Sequence, residues 1–223
     1  MVVERAKTGI KGLDGVIEGG FPKGKMITIS GGVGKGKTTF GIQFIEQGLK
    51  EGESCLIVST KETPSVMRET AKSFGINFEK WEREEMLKII FYTPNEFRSI
   101  VGGGGGTILD LIDDISASRL FIDSLGFVSS SFDNFSDLIS FAYNFLNTFS
   151  RAKITTLSTV EHAHRVEKME VWQHLSSGAI NLYEKELKSK RVKIMEITKM
   201  KFTKVKKNVL EYEITRKGLE VKK

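Results

Sequence analysis

The chain has 223 residues, 39% of them apolar and 28% charged, which suits one α/β domain with a buried core (residues 1–223) and is short for two. No apolar run approaches the roughly 20 residues needed to cross a bilayer. The N-terminus also lacks a basic segment followed by an apolar stretch, so the expectation is a cytoplasmic protein that makes no membrane contact. The net charge of +6 is uneven: residues 185–223 hold 14 Lys or Arg against 5 Glu, a balance of +9, leaving −3 for the rest. That surplus fits an anionic partner such as nucleic acid, or a lysine-rich solvated surface.

In chain order, Thr8 to Asp14 and Gly19 to Gly24 form a turn-rich lead-in around a short helical piece. Met26 to Ser30 reads as an apolar strand. The stretch Gly31-Gly32-Val33-Gly34-Lys35-Gly36-Lys37-Thr38-Thr39 follows, and its Gly31, Gly36, Lys37 and Thr38 satisfy the spacing G-x-x-x-x-G-K-[ST]. Glycines let successive backbone N–H groups turn inward onto a phosphate, and the helix that follows presents free N–H groups and the positive end of its dipole. Lys37 is then expected at the terminal phosphates, and the Thr38 hydroxyl at Mg²⁺. The pattern predicts binding of a nucleoside triphosphate.

Ile42, Ile45 and Leu49 recur at helical spacing up to Gly52. Cys55 to Ser59 is a continuous apolar run, as expected of a strand buried on both faces, and Cys55 is expected as a buried, reduced core thiol. Thr63-Pro64 supplies an N-cap and a first-turn proline for a helix that Gly75 closes. Leu87 to Tyr92 is a further strand. Gly102 to Gly106 has no following Lys-Thr and reads as a flexible, protease-sensitive loop before a helix over Ile108 to Ile115.

Leu120-Phe121-Ile122-Asp123 is a strand ending in an acid, the pattern of a carboxylate that holds Mg²⁺ opposite Thr38. Phe135, Leu138, Ile139, Ala142, Phe145, Leu146 and Phe149 give a helix its apolar stripe, for core packing or a subunit contact. Ile154 to Thr159 is a fifth strand; Ser158 or Thr159 at its end is positioned either to sense a phosphate or simply to close the strand. Glu161-His162-Ala163-His164 lacks metal-site spacing, and His164, Arg165 and Lys168 suit either phosphate contact or a charged loop. Ala179 to Tyr183, Val192 to Met200 and Val209 to Ile214 read as antiparallel strands. Strands alternating with helices and followed by ribbons predict a doubly wound α/β domain with an antiparallel edge.

In these spaced motifs the chain resembles the KaiC-like branch of the RecA/RadA ATPases. The resemblance runs from Thr8-Gly9-Ile10 through the phosphate loop, Arg68, Ser73-Phe74-Gly75 and Phe121-Ile122-Asp123-Ser124. It continues to Ser177 to Leu182, Lys199-Met200-Lys201 and Tyr212 to Val221. It implies a RecA-like P-loop NTPase core that binds ATP or ADP with Mg²⁺, as a homo-oligomer, commonly a ring with ATP between neighbouring subunits. Two departures bear on activity. Where the family has a Glu-Glu pair after the second strand, this chain has Lys61-Glu62, so Glu62 is the acceptor left beside Lys37 as a catalytic candidate. Where the family's Lys-x-Arg reaches a neighbour's ATP, this chain has Lys199 and Lys201, without the guanidinium fork. Slow hydrolysis is expected. The rival readings are a DNA-binding recombinase paralog that uses the basic C-terminal ribbons, and a nucleotide-gated signalling or scaffold protein.

Overall fold

The computed structural model describes residues 3–161, 166–187 and 190–222, with the backbone alone at 166–169 and 187. A two-stranded ribbon, β1 (Arg5–Ala6) and β2 (Phe21–Pro22), precedes the main chain of elements. Strand β3 (Met26–Gly31) leads through the glycine-rich loop into helix α1 (Lys37–Lys50), then β4 (Cys55–Ser59), α2 (Pro64–Ser73), α3 (Phe78–Arg83) and β5 (Leu87–Phe91). Next come α4 (Pro94–Gly102), α5 (Gly106–Asp114), β6 (Arg119–Asp123), α6 (Leu125–Ser130), α7 (Phe135–Arg151), β7 (Thr155–Glu161) and α8 (Val166–Leu175). The chain closes with β8 (Gly178–Leu187), β9 (Lys190–Met200), β10 (Val209–Thr215) and β11 (Gly218–Val221).

Nine strands form one sheet in the order β11-β10-β9-β8-β3-β7-β6-β4-β5. From β8 to β5 neighbouring strands run parallel, and β8, β9, β10 and β11 pair antiparallel. The predicted doubly wound core with an antiparallel edge is therefore present. β8 belongs to both halves, pairing parallel with β3 and antiparallel with β9.

Each face of the sheet has its own core. Phe21, Phe40, Phe44, Phe121, Leu182 and Tyr212 lie in one, under α1. Phe97, Phe141, Phe145, Phe149 and Trp172 lie in the other, where α7 packs on α8. There Phe145 meets Phe149 at 4.6 Å and stands edge-on to Trp172 at 5.4 Å, and the Trp172 indole N–H donates to Ser129 Oγ at 2.7 Å. Phe135 departs from the predicted stripe: it is exposed, and Phe141 is buried in the α7 core. Cys55 is buried as expected, and burial pushes its thiol up to about 12.

The glycine run is a correction. Gly102 ends α4 and Gly106 begins α5, so only Gly103 to Gly105 remain as a turn between two helices. Helix α4 carries a local signal that the apolar pattern hides. The Thr93 hydroxyl accepts from the Glu96 N–H while the Glu96 carboxylate accepts from the Thr93 N–H, a reciprocal cap followed by Pro94 in the first turn.

Arg119 joins the sheet to α1 from a fully buried position. Its guanidinium donates to the carbonyls of Lys7 (2.6 Å) and Phe44 (2.9 Å) and to the carboxylates of Glu51 and Glu53. The helix makes room for it at Gly48, where any side chain would overlap the guanidinium stem. Arg119→Ala empties a buried position and removes four donor contacts, leaving Glu51 and Glu53 only their partners nearer the surface, Lys7, Gln47 and Lys23, and should cost about 3 kcal/mol in chemical denaturation. Lys88→Ala, which removes an exposed pair with Asp114, should change stability by less than ~0.5 kcal/mol.

Candidate functional site

Parallel strands present their C-terminal ends at one edge of the sheet, and the site residues gather there. Gly31 of β3 is level with Glu161 of β7, and Ser59 of β4 is level with Asp123 of β6. Chain segments that are far apart in sequence thus deliver a loop, a carboxylate, a hydroxyl and a turn to one place.

Close packing and a positive φ decide the loop's shape. A side chain on Gly31 would overlap the Leu182 carbonyl of the neighbouring strand. Gly36 adopts the left-handed conformation (φ 90°) as the N-cap of α1, and a side chain there would press on Leu219 at 2.8 Å. Gly32, Gly34 and Lys35 complete the turn, and Val33 stands 79% exposed at its tip. The Lys35 carbonyl accepts from the buried Tyr212 hydroxyl at 2.7 Å, and the Lys35 ammonium pairs with Glu184 at 3.0 Å. Hydrogen bonds from Lys193 and Lys35 hold the Glu184 carboxyl at about 2.

Lys37 is buried, its ammonium 2.7 Å from the Gly32 carbonyl and 3.8 Å from Glu161 Oε1. Burial pushes its pKa down from the usual lysine value, against the pull of Glu161 and Asp123. The Thr38 hydroxyl donates to Asp123 Oδ2 at 2.8 Å, and the Thr159 hydroxyl donates to Asp123 Oδ1. A hydroxyl and a carboxylate side by side at a helix N-terminus are hard oxygen donors of the kind that suit Mg²⁺. Thr39 is buried one residue further along α1.

Thr159 therefore belongs to the site, whereas Ser158 does not: its hydroxyl lies 3.3 Å from that of Thr28 in the sheet interior. Lys61 and Glu62 sit at the mouth, their backbone N–H groups donating to Ser59 Oγ at 3.3 and 2.9 Å. Lys61 reaches Glu161 Oε1 at 3.1 Å and Glu62 at 3.9 Å. Burial disfavours its ammonium, yet the hydrogen bond to Glu161 and the charges of Glu161, Asp123 and Glu62 raise its pKa above the usual value.

Lys199 and Lys201 are not brought to this loop. Lys199 pairs in register with Ala179, which is level with Thr28, several residues back along β3. Its ammonium meets the His174 carbonyl at 2.6 Å, near the end of α8, where a cation suits the helix dipole. Several cations of the basic C-terminal segment are engaged in the same local way, as with Lys193 on Glu184 and Lys222 on Glu213. His162, His164 and Arg165 lie outside the described residues, as does the side chain of Lys168. Among the described residues no group of His, Cys, Asp or Glu could hold a metal by itself, and no helix is long and apolar enough to cross a membrane.

Sequence reasoning passed over Glu161 and Tyr212 as site residues. Glu161 ends a strand that only the sheet order places beside β3. Tyr212 sits in an alternating strand whose partner is not written locally.

The comparisons with known proteins bear on the family and the fold. A family model described as ATPase: KaiC matches residues 6–223. The crystal structure of a KaiC-like protein from the hyperthermophilic archaeon Pyrococcus horikoshii matches with a TM-score of 0.88 at 30% identity, covering 100% of both chains. A UPF0273 protein of Aeropyrum pernix is 28% identical over 99% of this chain and 94% of its own length. The circadian clock protein KaiC3 of Synechocystis is 26% identical over 98% of this chain and 46% of its own. UPF0273 protein MK0039 of Methanopyrus kandleri is 34% identical over 56% of this chain and 55% of its own. The chain thus spans about half the length of two of these curated relatives. A match running from residue 6 to the last residue, on a fold that matches a solved relative along its whole length, makes this chain a member of the KaiC family of P-loop ATPases.

Proposed function

We propose that the chain binds Mg·ATP at the loop Gly31 to Thr39 and hydrolyses it slowly, so that the nucleotide acts more as a conformational or assembly ligand than as fuel. The observation that carries this reading is the hydroxyl–carboxylate pair of Thr38 and Asp123 beside the buried Lys37, at the start of α1. In a bound complex, the loop N–H groups and the α1 dipole would hold the phosphates, and Lys37 would exchange the Gly32 carbonyl for a phosphate oxygen. Thr38 and Asp123 would hold Mg²⁺, which when bound neutralises charge on the phosphates.

Slow turnover follows from what faces that position. Activating a water needs a proton acceptor near the terminal phosphate, and residue 61 offers an ammonium instead. Glu62, the neighbouring carboxylate, is 3.9 Å from that same ammonium. Lys199 and Lys201 sit too far back along the sheet to reach their own loop, so in this reading they serve only a neighbouring copy in a homo-oligomer. They would do so as point charges, without the bidentate guanidinium.

Three measurements check this reading. Purified protein with Mg²⁺ should bind ATP yet turn over at less than ~1 per second, and Lys37→Ala should abolish the binding. Faster turnover, lost in Lys37→Ala, would overturn the slow-hydrolysis reading. Tyr212→Phe keeps the ring but removes the hydroxyl from the Lys35 carbonyl. It should weaken ATP several-fold and cost about 1 kcal/mol of stability, read by titration and denaturation.

A further inference from the structure

Two lysines from different parts of the chain converge on one carboxylate oxygen at the site. Lys37 Nζ and Lys61 Nζ lie 3.8 and 3.1 Å from Glu161 Oε1. Sharing that oxygen brings the two ammonium groups close enough for different oxygens of one phosphate to accept from both. Lys61 extends from the turn after β4, Lys37 from the start of α1, and Glu161 from the end of β7, so three strand ends enclose this point. The side chains of Lys61 and Glu161 are each largely shielded, 30% and 18% exposed.

We propose that Lys61 is a second phosphate-binding cation, placed to recognise the terminal phosphate of a nucleoside triphosphate and to separate it from a diphosphate. The proposal rests on ATP occupying the loop. A carboxylate this close to Lys37 would repel an incoming phosphate unless a cation stands between them. Lys61 meets that need, because an ammonium has three donors and can keep Glu161 while donating to a phosphate oxygen. Glu161 then orients Lys61 beside Lys37. The charge-assisted contact is made only by a ligand long enough to reach past Lys37. A cation at position 61 thereby favours holding ATP over splitting it.

The test is equilibrium binding, with Mg²⁺ present, of ADP and of the imido analogue of ATP, which is not hydrolysed. It compares the unmodified chain, Lys61→Ala and Lys61→Gln, with Lys37→Ala as control. Removing the ammonium should weaken the triphosphate analogue about 10- to 100-fold while ADP changes by less than about 2-fold. Equal losses for both ligands in a variant with an unchanged unfolding midpoint, or no loss for either, would overturn the role of Lys61. Lys61→Gln, of similar length, decides the case if Lys61→Ala does not fold. If the unmodified chain binds neither ligand, the nucleotide-binding reading itself fails, a result separate from the behaviour of the variants.

Discussion

The structure depends on how the backbone leaves β3. That strand is the hinge of the sheet, paired on one side with β7 and on the other with β8, so its position is held from both directions. At its end the chain must turn at once into α1 while passing against the Leu182 carbonyl, and only a residue without a side chain fits. In the proposed reading, a loop confined in this way would turn its N–H groups toward a phosphate. The buried lysine, the Thr38 hydroxyl and the α1 N-terminus all take their places from that single exit.

The antiparallel edge supports this loop from behind. Tyr212 on β10 hydrogen-bonds the Lys35 carbonyl, and Leu219 and Ile214 pack against Gly36. Gln43 of α1 accepts from the Leu219 N–H at 2.7 Å. The C-terminal ribbon is therefore part of the loop's support, although it lies nearly 180 residues away in sequence. The helix on this side also fits tightly against the sheet: Gly41 leaves room for the Phe121 ring and Gly48 for Arg119, so α1 approaches closely enough to fix the direction of its N-terminus.

Charge is distributed at the site with the same economy. Asp123 accepts from two hydroxyls, one from the first turn of α1 and one from β7. Glu161 is engaged by two lysines. The buried Asp123 and the half-buried Glu161 thus each have close partners of their own, hydroxyls for one and ammonium groups for the other.

The sequence by itself determined the features whose information is local: the loop spacing, the helix that follows it, the apolar strands, the acid that ends Leu120 to Asp123, and the alternation that implies a parallel sheet. These follow from periodicity and from residue types that act within a few positions of each other. It misjudged Gly102 to Gly106, because a glycine run reads as open chain unless the Thr93–Glu96 cap and the following apolar spacing claim its ends for helices. Only the tertiary structure decided what depends on strand order. It placed Thr159 on Asp123 and Ser158 in the interior, and it kept Lys199 away from the loop. It also joined Glu161 to Lys37 and Lys61 and brought Tyr212 under Lys35. The reason is physical: which strand lies beside β3 is settled by packing two separate cores on the two faces of one sheet, and no short stretch of sequence contains that choice.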